Sequence, residues 1–346
     1  EMARSLRENP VTVMGLGKLG GSELNYVSDV DLVFFRHHSG GAGGHRRFCQ
    51  ALCRLVGEQF EGDKVFTTDL RLRPMGKDGE LVPPMEAAAE YYLNSGRAWE
   101  RQALLKSRPV AGDRSLGRAF LQEVAPFVFR RFMDFQALEE LQGMRDRILA
   151  ELKRTERDLF QDVKLGRGGI REIEFTVQSF QLIYGGRYRE LDEPNTLACL
   201  EKLEKLELLP TDAARQLSRD YTFLRRVEHW LQLDQNRQAR RIPQSDADRQ
   251  RLASSLGYLD GSRPFEDDLT ACGERVHDHF TALFGPGNRK QETGDRGQEI
   301  GEQGSETESN GHEPEACGEE SVSAYSESLE QVLSGFSPAV RRTGAS

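Results

Sequence analysis

The sequence predicts an α+β fold in which a mixed sheet with helices is followed by an all-α helical bundle and a disordered tail. Short apolar runs separated by glycine turns extend to about residue 115. Beyond that point, apolar residues recur every three or four positions, as on amphipathic helices. After Pro286 apolar residues become rare among Glu, Gly, Gln and Ser, so this segment cannot offset its ordering entropy. We therefore predict domains at 1–115 and 116–286 and a disordered acidic tail at 287–346.

The charge distribution argues against a nucleic-acid enzyme. The chain has 346 residues, long enough for two domains with their own cores, and a net charge of −9. Residues 287–346 hold 12 acidic and five basic residues, which leaves the remaining 286 residues nearly neutral at −2. A nearly neutral body lacks the basic surface that DNA or RNA binding requires.

No sequence feature predicts a membrane or an oxidising compartment. No run approaches the ~20 apolar residues of a membrane span, and no signal peptide is visible. The five cysteines are scattered and odd in number, so we expect reduced, structural thiols in a cytoplasmic protein. The chain starts at Glu1 rather than Met, and we expect it to be part of something longer.

The residues that indicate chemistry begin at 15–35. A strand predicted over 11–16 leads into Gly20, Gly21 and Ser22, whose backbone N–H groups can close on a phosphate. A strand predicted over 28–35 places Asp29 and Asp31 on one face, because side chains alternate along a strand. Hard cations such as Mg²⁺ take carboxylate oxygens and leave positions open for nucleotide phosphates.

A third carboxylate is expected on a neighbouring strand. A strand predicted over 65–73 places Asp69 on the same face as Arg71 and Arg73. Asp69 would complete a two-metal site, and the two arginines would pair with phosphate oxygens. Gly-Gly-Ser, then Asp-x-Asp, then a strand Asp resembles the signature of the polymerase-β-type nucleotidyltransferase fold.

Two further basic segments allow two interpretations each. The segment 106–113 is predicted to be an exposed basic loop near the pocket, or else a helix end whose cations suit the helix dipole. The glycine-rich segment 164–169 precedes a predicted helix and brings Lys164, Arg167 and Arg171 together as an anion site. The alternative is a tight connection between helices with a solvated charged face.

Four stretches together resemble one bacterial family over nearly all of residues 10–284: GLGKLGGSELNYVSDVDLVFF, DLRLRPMGKDGELV, AWERQALLKSRPVAGD and KLGRGGIREIEFTVQSFQLIYGGR. The family is the bifunctional glutamine synthetase adenylyltransferase/adenylyl-removing enzymes. Its full-length members carry two nucleotidyltransferase halves, each followed by a helical region. One half attaches AMP to a tyrosine of glutamine synthetase, and the other removes it by phosphorolysis, giving ADP. The stretches FVFRRFMDF and GGIREIEFTVQSFQLIYGG resemble the N-terminal, adenylyl-removing half.

The resemblance implies roles for individual residues. Asp29, Asp31 and Asp69 match the catalytic, metal-binding carboxylates for two Mg²⁺ ions, and Gly20, Gly21 and Ser22 match the phosphate-binding turn. The resemblance implies nucleotide or phosphate contacts less directly for six basic residues: Lys18, Arg71, Arg73, Lys106, Arg108 and Arg171. The implied partners are glutamine synthetase, the PII signal protein, ADP or ATP, and phosphate.

Three hypotheses for the function follow. The leading one is removal of AMP from glutamine synthetase by phosphorolysis. The second keeps the chemistry but adds AMP or UMP to a protein, because the motif predicts nucleotidyl transfer at phosphorus and not its direction. The third is a non-catalytic half that docks glutamine synthetase or PII, against which the complete set of acids argues. With one nucleotidyltransferase half in the sequence, the bifunctional activity cannot belong to this chain alone.

Overall fold

The computed structural model describes residues 10–37, 42–57, 66–130, 143, 146–148, 150–151, 154, 158–235 and 239–284. The described residues up to Phe280 belong to one compact unit, and a second unit begins at Thr281 with 281–284 described. The predicted acidic tail at 287–346 lies outside the described residues. The predicted domain boundaries stay predictions.

A four-stranded mixed sheet lies near the N-terminal end of the described chain. Its strands are β1 (Val11–Gly15), β2 (Ser28–Arg36), β3 (Phe66–Asp69) and β4 (Arg108–Gly112), in the order β3-β2-β1-β4. β1 pairs antiparallel with both β2 and β4, whereas β2 and β3 are parallel. Together with the helices, this sheet confirms the predicted α+β fold class.

The core of the sheet layer follows from alternation along β2. Val30, Leu32 and Phe34 are buried in one cluster with Val11 and Val13 of β1. Asp29 is exposed and Asp31 is partly exposed on the other face. The predicted alternation is therefore confirmed, and it directs the two carboxylates out of the core.

α-Helices account for most of the remaining described residues. Their bounds are α1 Gly17–Gly20, α2 Ala42–Gly57, α3 Met85–Ser95, α4 Ala98–Leu105, α5 Arg114–Val128, α6 Ile170–Tyr184, α7 Thr196–Lys205, α8 Thr211–Gln235, α9 Asp246–Ser255 and α10 Arg263–Phe284. On α6, the predicted apolar face is buried through Ile173, Val177 and Phe180. The strong helical periodicity after residue 116 thus predicted the right element type.

Three local predictions were wrong. The strand predicted over 65–73 ends at Asp69, because the Arg71 backbone N–H donates to the Asp69 carboxylate (2.9 Å) and turns the chain. The sequence after Pro84 predicts one helix from Met85 to about Lys106, but the structure has two helices there, interrupted at Gly96 and Arg97. The Arg97 backbone N–H donates to the Glu100 carboxylate (2.9 Å), which starts the second helix afresh.

Of the two interpretations of the segment 106–113, the exposed loop is wrong, whereas the helix end holds for Lys106, which is the C-cap residue of α4. Lys106 and Ser107 are buried, and β4 follows at once, paired with β1. The carboxylate partners of Lys106 explain why a cation lies in the interior here.

Two other features agree with the sequence. Cys49, Cys53, Cys199 and Cys272 are free thiols in the described part of the chain. A membrane-crossing helix, long and apolar enough to span a bilayer, is not found among the described residues.

Candidate active site

The parallel pairing of β2 with β3 brings the three aspartates together. In the register of the two strands, Asp31 is the ladder partner of Asp69, and Asp29 lies two residues earlier on the same face of β2. All three side chains line one pocket of about 360 Å³, here called the aspartate pocket. Three acidic side chains from distant parts of the sequence therefore meet at one surface.

The pKa values of Asp31 and Asp69 are shifted in opposite directions. Burial, followed by the charges of Asp69 and Asp29, raises the pKa of Asp31 to about 6. The hydrogen bond from the Arg71 guanidinium is the largest cause that lowers the pKa of Asp69. Asp31 therefore lies in a negative field that a cation in the pocket would relieve.

Arg71 is the cation nearest to Asp69. Its Nε lies 3.0 Å and 2.9 Å from the two Asp69 carboxylate oxygens, while its side chain is 82% exposed. With Asp69 held this way, no three His, Cys, Asp or Glu side chains in the described ranges are grouped closely enough to enclose a metal. The donor types nevertheless fit Mg²⁺, because Asp29, Asp31 and Asp69 would all offer hard carboxylate oxygens from the lining of one pocket. An exposed arginine can exchange Asp69 for another anion at small cost.

Basic residues from four segments line the same pocket: Lys18, Lys106, Lys164 and Arg240. Lys18 Nζ lies 3.0 Å from Glu228 Oε1, yet burial outweighs this ion pair and lowers the pKa of Lys18 to about 8. The Lys164 ammonium forms no hydrogen bond or ion pair within the described residues. Lys164 is thus available to an anionic ligand.

Lys106, by contrast, is committed to partners within the protein. Its Nζ lies 2.6 Å from Glu23 Oε2, 2.9 Å from Thr196 Oγ1 and 3.3 Å from Glu174 Oε1. Burial acts to lower the pKa of Lys106, but the charges of Glu174 and Glu23 raise it above the ordinary value. Lys106 therefore remains a cation that holds β4 against α6 and α7.

This buried cluster extends into α8, and sequence reasoning missed it. Glu23 Oε1 accepts from the Thr196 backbone N–H (2.7 Å), and the Arg225 guanidinium donates to the Glu23 carbonyl. Together with Lys106 and Glu174 these residues form what we call the interlayer cluster. A weak signal was present, because Arg225 and Glu228 are spaced i, i+3 among the apolar residues of α8.

The Gly-Gly-Ser turn has close backbone contacts of its own. A Cβ at Gly20 would collide with the Lys106 carbonyl, so glycine permits the turn to lie against the chain before β4. The Gly21 carbonyl accepts from Asn195 Nδ2 (2.9 Å). Among the described residues, Gly17 and Lys18 line the aspartate pocket, whereas Gly20, Gly21 and Ser22 do not. Phosphate binding by this turn stays a prediction.

The remaining predicted basic residues already have protein partners. The Arg108 guanidinium donates to the Leu19 and Gly20 carbonyls (3.1 Å and 2.9 Å). Arg73 donates to the carbonyls of Leu70, Lys77 and Gly79, which closes the loop after β3. Both side chains therefore stabilise backbone turns in this structure, and their nucleotide contacts stay predictions.

The glycine-rich segment before α6 distributes its bases over different surfaces. Lys164 lines the aspartate pocket, while Arg171 lines a neighbouring pocket and pairs with Glu151 (2.7 Å). Arg167 lines a third, separate pocket. The predicted anion site thus contains Lys164 and Arg171 on adjacent pockets, without Arg167.

Two residues that line the aspartate pocket carry a buried side-chain oxygen with no hydrogen-bond partner in the described structure, Gln232 Oε1 and Glu228 Oε2, and the second lies 3.6 Å from Arg225 Nε. Gln232 Oε1 on α8 is buried and accepts no hydrogen bond from any residue that the structure describes. A buried acceptor of this kind is normally satisfied by water or by a ligand. Its position indicates that a polar species belongs in the pocket.

Two family models match successive segments of the chain. The glutamate-ammonia ligase adenylyltransferase family model matches residues 2–123, and the GlnD PII-uridylyltransferase family model matches residues 142–284. The bifunctional glutamine synthetase adenylyltransferase/adenylyl-removing enzyme of Thioalkalivibrio sulfidiphilus is 43% identical over 287 residues, 80% of this chain and 29% of that protein. The enzyme of the same name from Nitrosococcus oceani is 42% identical over 284 residues, 79% of this chain and 29% of that protein. The chain therefore spans less than a third of the length of these relatives.

Proposed function

We propose that this chain, a homologue of one segment of the bifunctional glutamine synthetase adenylyltransferase/adenylyl-removing enzymes, catalyses nucleotidyl transfer at phosphorus. Its reaction would be the removal of AMP from the adenylylated tyrosine of glutamine synthetase by phosphorolysis. The observation that supports this most is the convergence of Asp29, Asp31 and Asp69 on one pocket through the parallel register of β2 and β3.

The proposed reaction exchanges one phosphorus–oxygen bond for another. An oxygen of inorganic phosphate forms a bond to the adenylyl phosphorus, and the bond from that phosphorus to the tyrosine oxygen breaks. The phosphate loses a proton and the tyrosine oxygen gains one, so ADP and unmodified glutamine synthetase result. Asp29, Asp31 and Asp69 would hold the metal; two Mg²⁺ ions, when bound, would neutralise charge on the reacting oxygens.

The basic residues of the pocket would orient the anions. Lys164 has no protein partner among the described residues, and Lys18 has one, so both can bind phosphate oxygens. Arg71 would move from Asp69 to phosphate as the metal takes its place on the carboxylate. In this proposal Lys106 acts on the site only through the elements that it holds in place.

A second function is favoured by one of the family matches. The match of residues 142–284 to the PII-uridylyltransferase model makes addition of AMP or UMP to a protein the second candidate. The same pocket serves both directions, since attack and departure occur at the same phosphorus atom. The PII signal protein would then be a substrate or a regulator. A non-catalytic docking role for glutamine synthetase or PII is disfavoured by the three carboxylates in one pocket.

The direct test is to incubate the chain with adenylylated glutamine synthetase, Mg²⁺ and phosphate and to follow ADP by chromatography. We expect ADP that depends on phosphate and that Asp29→Asn abolishes. Asp260→Asn, which changes an exposed aspartate in a turn far along the chain, is the matched control and should retain activity. Label transfer from ATP or UTP to a protein without ADP release would establish the adding direction. A chain inactive in every arm would contradict nucleotidyl transfer.

A further inference from the structure

A second pocket lies beside the aspartate pocket and shares a wall with it. The shared wall consists of Lys164, Glu174 and Gln178, and the second cavity has a volume of about 450 Å³. We call it the side pocket. Its volume lies within the range of small-molecule sites, and its position makes it continuous with the proposed reaction centre.

One part of the side pocket is aromatic and apolar. Trp99, at the start of α4, lines it and is 40% exposed, and Phe175 and Ile148 line it as well. A partly exposed indole beside apolar side chains can stack with a flat ring, and such stacking is typical of nucleobase sites.

A pair of amides supplies hydrogen-bonding groups at the base of the pocket. Gln102 Nε2 donates to Gln178 Oε1 at 2.7 Å, which fixes the two side chains against each other. Gln102 Oε1 and Gln178 Nε2 are left as one acceptor and one donor, unused by any hydrogen bond within the described residues. The Watson–Crick edge of adenine presents the complementary pair, an amino donor and a ring-nitrogen acceptor.

The shared wall supplies the groups that a ribose and a phosphate require. Although burial opposes it, the cations around Glu174, led by Lys106, keep the pKa of that carboxyl low, so Glu174 is ionised and can accept from a sugar hydroxyl. Lys164 stands on the same wall and faces the pocket that holds the aspartates. Base, sugar and phosphate partners therefore follow one another from the side pocket to the aspartates.

We propose that the side pocket binds the adenosine part of the nucleotide, with the base on Trp99 and its edge on Gln102 and Gln178. The proposal rests on the proposed function, because it places the phosphorus at the aspartates. A tyrosine side chain is a poorer occupant, since its single polar atom cannot use both the free acceptor of Gln102 and the free donor of Gln178 in the way that an adenine edge can. The modified tyrosine would instead approach through the open mouth of the aspartate pocket.

The tryptophan content permits a direct binding test. The chain has two tryptophans, and Trp230 lies on α8, is 38% exposed and lines neither pocket. In Trp230→Phe, Trp99 is the single reporter of fluorescence. We expect AMP and ADP to quench it in a saturable manner and inorganic phosphate to leave it unchanged. In Trp99→Phe the Trp230 emission should not respond to either nucleotide.

Affinity measured by equilibrium dialysis separates the possible outcomes. We expect Trp99→Ala to weaken ADP binding by about tenfold or more, and Gln102→Leu to reduce the preference for ADP over IDP, which lacks the amino group. ADP that binds by dialysis without affecting Trp99 or depending on it would overturn the side-pocket proposal and leave the proposed function standing. Absence of all nucleotide binding, with ADP release also absent, would overturn both. Quenching by a tyrosyl peptide but not by nucleotide would assign the pocket to the protein substrate.

Discussion

The aspartate pocket and the interlayer cluster contain the same kinds of charged residue, arranged in opposite ways. In the cluster, Lys106 is surrounded by Glu23, Glu174 and a hydroxyl, so the buried charges compensate one another. In the pocket, Asp31 is close to two other acids and its pKa is raised. The compensated charges of the cluster hold elements together, whereas Asp31, whose burial and acidic neighbours outweigh the cations near it, favours the binding of a cation.

The largest expected effect comes from removing the cation at the centre of the cluster. Lys106→Met leaves Glu23 and Glu174 buried without their main partner, and we expect it to lower the free energy of unfolding by about 3–5 kcal/mol. Denaturant unfolding measures the change. Lys205→Met, which breaks an exposed ion pair with Glu201, should leave stability nearly unchanged. Equal stability of the two variants would refute the assigned role of the cluster.

Lys18 is intermediate between the compensated cluster and the aspartate pocket. It has one carboxylate partner, and its pKa is lowered to about 8. If its ammonium binds phosphate, the KM for phosphate should rise by up to about tenfold for each pH unit above 8, as the lysine loses its proton. Lys18→Arg, which stays charged at these pH values, should flatten the rise. Steady-state kinetics between pH 7 and 10 on both proteins measures this, and identical profiles would remove Lys18 from the phosphate site.

Asp31 tests whether a charge beside other acids destabilises the folded protein, the opposite of the stabilising role expected for Lys106. Because its pKa in the folded protein is about 6, above the ordinary value of 3.8, the folded state holds its proton more tightly than the unfolded state. Ionisation of Asp31 therefore lowers stability as pH rises from about 4 to 6. Asp31→Asn should be more stable than the wild type at pH 7 by about 1 kcal/mol, allowing for solvent screening, and no more stable at pH 4.

Thermal or denaturant unfolding at both pH values checks the sign of this effect in the absence of divalent cations. Asp31→Asn should also be inactive, so that stability and activity change in opposite directions. If Asp31→Asn is less stable than the wild type at pH 7, favourable interactions of the Asp31 carboxylate outweigh its burial and the repulsion from its acidic neighbours.

The smallest effect is expected at Arg71, which competes with any cation for Asp69. Arg71→Ala frees the Asp69 carboxylate, and we expect Mg²⁺ to bind the nucleotide-free variant severalfold more tightly. The stability of Arg71→Ala should differ little from that of the wild type, since the side chain is largely exposed. Isothermal titration with Mg²⁺ measures the affinity; weaker binding would mean that Arg71 helps to build the site.

The local sequence pattern predicted the aspartate pocket but not the interlayer cluster. Alternation along β2 is a property of neighbouring residues, so the shared face of Asp29 and Asp31 could be predicted from the sequence. The position of Asp69 followed from the expectation of a neighbouring strand, but the end of that strand depends on a turn formed by Arg71, which periodicity does not report.

The interlayer cluster could not be predicted because its contacts join residues far apart in sequence. Lys106 and Glu174 are 68 positions apart, and Glu23 and Thr196 are 173 apart. Each of these residues looks like an ordinary surface charge or hydroxyl within its own helix or turn. The same applies to Lys106 as a predicted phosphate ligand, since only the folded chain shows that its donors are occupied.

The contact between Glu23 and the first residue of α7 has a consequence for dissecting the protein. The carboxylate of Glu23 caps the start of a helix 173 residues away while its second oxygen holds Lys106. A cut near residue 115 would deprive the sheet piece of Thr196 and Glu174 and expose a buried lysine and glutamate at a new surface. The sheet and the helices therefore depend on each other. A truncated or domain-shuffled protein would have to keep Glu23 together with Lys106 and Thr196.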